Sequence, residues 1–143
     1  PHSIKTLVDF RPSRQRVLSR SEPPHYTPII AEAVLHNRVG GNPAILQAQV
    51  QRLAVAARLD HVELRVLPST AGEYLGLITP YHLVSLRPSG RLTVSVYDQP
   101  TKSIFLEDEG EVATHQEIFE LLLSASPSRS ASLSLVEEAA SRA

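Results

Sequence analysis

Val39-Gly40-Gly41-Asn42-Pro43 constrains the fold of this chain more than any other run of residues. The two glycines free the backbone to turn, and Asn42 offers a side-chain oxygen to helix amides. Pro43 suits a first helical position, where its missing N–H would have had no partner. A helix therefore begins at this break. Over residues 44–59, Ile45, Leu46, Val50, Leu53, Val55, Ala56, Ala57 and Leu59 keep helical periodicity, with Gln47, Gln49, Gln51, Arg52 and Arg58 between them. Asp60-His61 ends the helix. Val62-Glu63-Leu64-Arg65-Val66-Leu67 then alternates apolar with charged residues until Pro68, the pattern of a strand.

The remaining elements are arranged around this helix-to-strand unit. Residues 3–20 place apolar side chains near helical spacing, but Pro12 divides them into two short pieces, the second running from Ser13 to Arg20. After Pro23-Pro24, Tyr26 to Glu32 reads as a short strand in which Pro28 costs one ladder hydrogen bond, and Ala33 to His36 reads as a single helical turn. Residues 69–79 form a loop. Tyr81 to Leu86, Leu92 to Tyr97 and Lys102 to Leu106 are three strands joined by the turn-forming runs 87–91 and 98–101, which implies an antiparallel meander. Glu107-Asp108-Glu109-Gly110-Glu111 precedes a helix over 112–124, where negative charge complements the N-terminal dipole. A last helix over 130–143 carries Leu133, Leu135, Val136 and Ala140 as its apolar face. The expected fold is α+β, with a mainly antiparallel sheet of about five strands packed against helices.

At 143 residues with 42% hydrophobic content, the chain reads as a single domain over 1–143 with a core that needs no metal or disulfide. There is no cysteine, which removes thiol nucleophiles and thiolate metal sites. The net charge is −1, and Lys5 and Lys102 are the only lysines, so direct nucleic-acid binding by this chain is not expected. The apolar runs are too short for a transmembrane helix and no signal-peptide pattern appears, which leaves a cytoplasmic chain with no membrane role as the expectation.

Motifs for chemistry are sparse. Neither the G-x-S-x-G turn of activated serines nor a glycine-rich phosphate loop is present. The histidines at 2, 25, 36, 61, 82 and 115 never fall at i,i+4 spacing or as H-E-x-x-H, so no metal and no cofactor is expected. His61 is placed at a helix end and His115 on an exposed first turn. Glu32 lies four residues before His36, and His82 lies inside a strand, so these three converge on one pocket if their elements are neighbours. Tyr97-Asp98 closes a strand where side chains often line a cleft. The candidate ligand-binding residues are therefore Glu32, His36, His82, Tyr97 and Asp98, with no catalytic residue assigned. The bland reading takes Asp98 as a turn residue and Glu32 as an anchor for the Gly40-Gly41 loop, whereas proton transfer would require their carboxyls to be buried with raised pKa. Partner binding would favour the terminal helix or an open sheet edge instead.

In order along the chain, Ile30-Ala31-Glu32-Ala33-Val34-Leu35, Val39-Gly40-Gly41, Gln49-Val50-Gln51-Arg52-Leu53, Val62 to Pro68 and Gly72 resemble the DUF5753 domain. That domain occurs across actinobacterial regulators of the Scr1 type. There it follows an Xre-like helix-turn-helix, and its gene often neighbours one for a small DUF397 protein. The resemblance runs from about Arg14 to the C-terminus. Two departures stand out: the strand that usually ends Tyr-x-Glu here reads Tyr97-Asp98-Gln99, and what precedes Arg14 is too short for a three-helix DNA reader. The resemblance implies a non-catalytic ligand- or partner-sensing domain of a transcriptional regulator or antitoxin-like system. Its partner would be a small DUF397-like protein or a small-molecule ligand, with homodimerisation left open. The alternative is a small stand-alone enzyme of specialised metabolism with an apolar pocket and a Glu32, His82 or Asp98 proton-transfer group.

Overall fold

The computed structural model describes residues 13–72, 80–86, 92–99 and 102–142. The expectations for residues 3–12, 73–79, 87–91, 100–101 and 143 lie outside the described residues. Residues 13–19 form a helical turn that ends in a 3₁₀ stretch at Arg16–Ser19.

Strand β1 (Ile29–Ala31) leads into a 3₁₀ turn at Glu32–Leu35, one residue earlier than the sequence pattern places it. Helix α1 (Pro43–Ala57) starts where the Gly-Gly-Asn-Pro break puts it: the Asn42 side chain accepts a hydrogen bond from the Ala44 amide at 3.0 Å. Its buried residues Leu46, Val50, Ala54 and Ala57 recur at helical spacing and form one stripe. The chain then returns as β2 (Arg65–Leu67), parallel to β1, with Ile29, Ile30 and Ala31 opposite Arg65, Val66 and Leu67. A further bridge pairs Tyr26 with Val62. Between bridge and strand the ladder opens at Pro28, which has no N–H to donate, although its carbonyl accepts from Arg65 N at 2.9 Å.

The second half holds β3 (His82–Ser85), β4 (Thr93–Asp98) and β5 (Ser103–Leu106), an antiparallel meander in the order β3-β4-β5, as the turn chemistry implies. Helix α2 (Glu109–Ala125) is capped by Asp108, whose Oδ1 accepts from the amides of Gly110 and Glu111 at 3.0 Å each. The acidic run is therefore a helix cap. Helix α3 (Arg129–Arg142) buries Ser132, Val136 and Ala139 and packs chiefly against α1.

The protein is thus α+β, but the single sheet of about five strands is incorrect: the five strands form a parallel pair and a separate antiparallel triplet. Two features produce the division. The β1–β2 connection contains α1, and a helical crossover brings a chain back parallel. The outer edge of β2 is already satisfied from α3, where Val66 N donates to Ser132 Oγ at 3.1 Å, and the Arg65 side chain donates to the carbonyl of Pro127, just before that helix, at 2.8 Å. With α3 occupying that edge, a third strand has no row of free amides to join. The core gathers on this side, from Leu35, Leu46, Val50, Ala54, Ala57, Leu64, Val66, Val136 and Ala139, with Leu133, Leu135 and Ala140 partly buried against it. The apolar face of α3 is consumed by this packing, so the terminal helix is not the free amphipathic surface the sequence suggested.

Candidate functional site

Strand alternation and the β3-β4-β5 register divide the meander into two unlike faces. His82 stands opposite Val96 and Phe105, and Val84 opposite Val94; Leu83 stands opposite Ser95 and Leu106. One face therefore carries His82, Val84, Val94, Val96, Asp98 and Phe105, extended by Leu86 and Leu92 where Leu86 N donates to the Leu92 carbonyl. The other carries Leu83, Ser95, Tyr97 and Leu106 and turns towards α2, which packs on β4.

The first face is open only in part. Val84 is 46% exposed, Leu86 58%, Leu92 50% and Phe105 63%, whereas Val96, on the central strand of the same face, is buried. At its end Asp98 accepts from Ser103 Oγ at 2.6 Å and from Arg14 Nη1 at 2.7 Å, and His82 Nε2 lies 3.6 Å from the same carboxylate. The Ser103 hydroxyl and the Arg14 guanidinium hold the Asp98 carboxyl below the usual carboxylate range, against a small desolvation effect that raises it. Asp98 is the last residue of β4 and a charged junction between β3, β5 and the 13–19 segment, which is more than a turn residue.

Beneath the sheet lies an aromatic cluster. Tyr81, Tyr97 and His115 have ring centroids 5.0–6.0 Å apart. The Tyr97 hydroxyl meets His115 Nε2 at 2.5 Å, and the Tyr81 hydroxyl donates to the His115 carbonyl at 2.9 Å. Burial, and secondarily Tyr97, pushes the Tyr81 phenol up. His115 Nδ1 and Ser95 Oγ are buried without a hydrogen-bond partner among the described residues. The placing of His115 on an exposed first turn is incorrect, and its spacing explains why: Val112, His115, Phe119 and Leu122 fall on one stripe of α2, so the ring is carried inward with the apolar side chains. That stripe was the signal for a residue the sequence reading set aside.

The five candidate residues do not form one pocket. His82 and Asp98 meet on the open face, whereas Tyr97 points to the covered one. Glu32 and His36 belong to the other half of the molecule. Glu32 Oε2 accepts from Ser69 N at 2.8 Å, so it anchors the turn after β2 instead of the Gly40-Gly41 loop. Ser69 is the chief reason its carboxyl is held low, and His36 adds a smaller effect of the same sign. Neither carboxylate has the raised pKa that a general acid needs. His36 lines a half-open cleft of about 120 Å³ with Leu35, Arg38, Leu46, Ala139 and Arg142. His61, near the end of α1, hydrogen-bonds the Leu18 carbonyl at 3.0 Å and ties the 13–19 segment to the core.

These features define an α+β fold in which α2 packs on one face of an antiparallel meander and large apolar side chains stand exposed along the other. The chain belongs to the DUF5753 family, described as a domain of unknown function, whose model matches residues 1–138. The match includes the residues before Arg14 and so extends the resemblance to Pro1. No curated protein and no solved structure matches the chain significantly. Among the described residues, no helix is long and apolar enough to cross a membrane.

Proposed function

We propose that the chain is a non-catalytic recognition domain of an actinobacterial transcriptional regulator or antitoxin-like system, and that it takes a small DUF397-like protein on the open face of β3-β4-β5. The observation that carries this reading is the exposure of Val84, Leu86, Leu92 and Phe105 on one sheet face. Large apolar side chains exposed together on one sheet mark interaction sites, since water contact with them is costly and a partner relieves that cost. The His82–Asp98–Arg14 junction at its end supplies a polar rim that fixes orientation. The lowered carboxyls of Asp98 and Glu32 favour this reading over proton-transfer chemistry. In this reading the domain works in the cytoplasm and leaves contact with nucleic acid to another segment or subunit.

Isothermal titration of the purified chain with a DUF397-like protein tests the proposal. A one-to-one complex is expected, with Phe105→Ser weakening it at least about tenfold, as removal of a central aromatic anchor does. Phe105 is 63% exposed, so the variant keeps its fold, checked by circular dichroism. Absence of binding at about 100 µM, or equal affinity of wild type and variant, overturns the proposal.

A further inference from the structure

The cleft beside α1 lies away from the open sheet face and has a different chemistry. Its floor is apolar and well packed: Leu35 is 2% exposed, Ala139 6% and Leu46 8%. Its rim is cationic or imidazole, from Arg38, Arg142 and His36. The backbone at Arg38 is fixed by the turn that follows it, and its side chain is exposed. Gly40 and Gly41 adopt positive φ of 65° and 71°, and Gly41 N donates to the Arg38 carbonyl at 3.1 Å, which closes a tight turn immediately after Arg38. The Arg38 guanidinium itself has no hydrogen-bond or ion-pair partner among the described residues. Arg142 binds Glu138 through one nitrogen, which leaves further donors of its planar fork free.

An unengaged guanidinium above an apolar floor matches one ligand class. A carboxylate takes two parallel N–H donors from arginine, while a short tail displaces water from the floor. The volume of about 120 Å³ suits a tail of a few carbons and is too small to enclose a nucleotide. We infer that this cleft binds a small organic carboxylate with a short aliphatic tail, its head on Arg38 and Arg142 and its tail against Leu35, Leu46 and Ala139.

The site is independent of the sheet-face reading, because its ligand is not a protein and its residues lie on other elements. The test is an NMR titration of the whole chain with sodium hexanoate, with hexanamide as the uncharged isostere and sodium chloride at matched ionic strength. Saturable shifts of the Leu35, Leu46 and Ala139 methyls with hexanoate are expected, with hexanamide at least about tenfold weaker, the loss of a charge-assisted pair. Arg38→Gln is expected to weaken hexanoate about tenfold and Arg142→Gln by less, since Glu138 already engages that side chain. Arg16→Gln, in the 3₁₀ stretch Arg16–Ser19, leaves it unchanged. Non-saturable shifts, equal response to the amide, or an unaltered Arg38→Gln overturns the assignment.

Discussion

Ser132→Ala isolates the contact that separates the two sheets. Ser132 is fully buried on α3, where its Oγ accepts from Val66 N at 3.1 Å and donates to the Pro127 carbonyl at 3.3 Å. Val66 is also fully buried, so removal of the hydroxyl leaves its amide without water or partner. An orphaned buried amide costs about 1–3 kcal/mol. The Pro127 carbonyl keeps Arg65 Nη1 and contributes little to the loss. Alanine is the better helix former by about 0.5 kcal/mol, which offsets part of it. The net expectation is a destabilisation of about 1–2 kcal/mol, or about 3–7 °C in Tm for a chain of this size. Ser134→Ala is the matched control, because that hydroxyl only returns to the Ser130 carbonyl on the exposed side of the same helix. Its stability should equal or slightly exceed wild type. Urea unfolding of the three proteins, followed by circular dichroism, measures the difference. A Ser132→Ala curve within about 0.5 kcal/mol of Ser134→Ala would refute the idea that α3 satisfies the edge of β2.

Other consequences follow from the same geometry. The depressed Asp98 carboxyl means that, as pH falls through about 4, the unfolded chain takes up its proton first; stability rises with pH in that window and is lost as pH drops through the folded-state pKa. Denaturant titrations of wild type and Asp98→Asn should therefore differ at neutral pH and converge in acid, whereas a pH-independent gap would exclude the linkage. Tyr97→Phe strands His115 Nε2 and should cost about 1 kcal/mol, with less than additive loss in the Tyr97→Phe/His115→Phe double variant, read by a thermal double-mutant cycle. Gly41→Ala meets no atom within 4 Å, so its expected penalty of about 1 kcal/mol comes from the positive φ alone, and Gly41→Asn should lose less in the same melt.

The parts of the fold that local chemistry dictates were legible in the sequence. Asn42-Pro43 marks the start of α1 because capping and a missing N–H act within a few residues; the acidic run 107–111 marks α2 more coarsely, since the helix begins inside it at Glu109 and not at 112. Alternation in 82–106 reveals the meander, since strand period and turn residues are local as well. The division into two sheets was not legible. It depends on Ser132 reaching Val66, 66 positions away, and a serine in a helix carries no mark of that contact. Among the site residues, the His82–Asp98 pairing follows from register, which strand patterns alone leave unset. Glu32 was placed at the end of the first strand, one residue before the turn it in fact begins, and was assigned the wrong partner, because Ser69 approaches only through the parallel return of β2. His115 was misjudged from its residue type, although its position in the Val112–Leu122 stripe already directs it inward.

Residue-resolved amide NMR of the chain, recorded with and without the DUF397-like protein, tests the central claim most directly. Shifts concentrated on Val84, Leu86, Leu92 and Phe105, with His82 and Asp98 at their margin and the α1–α3 core unmoved, are the predicted outcome. Perturbations centred on α3 or the β1–β2 half, with the open sheet face silent, would contradict it.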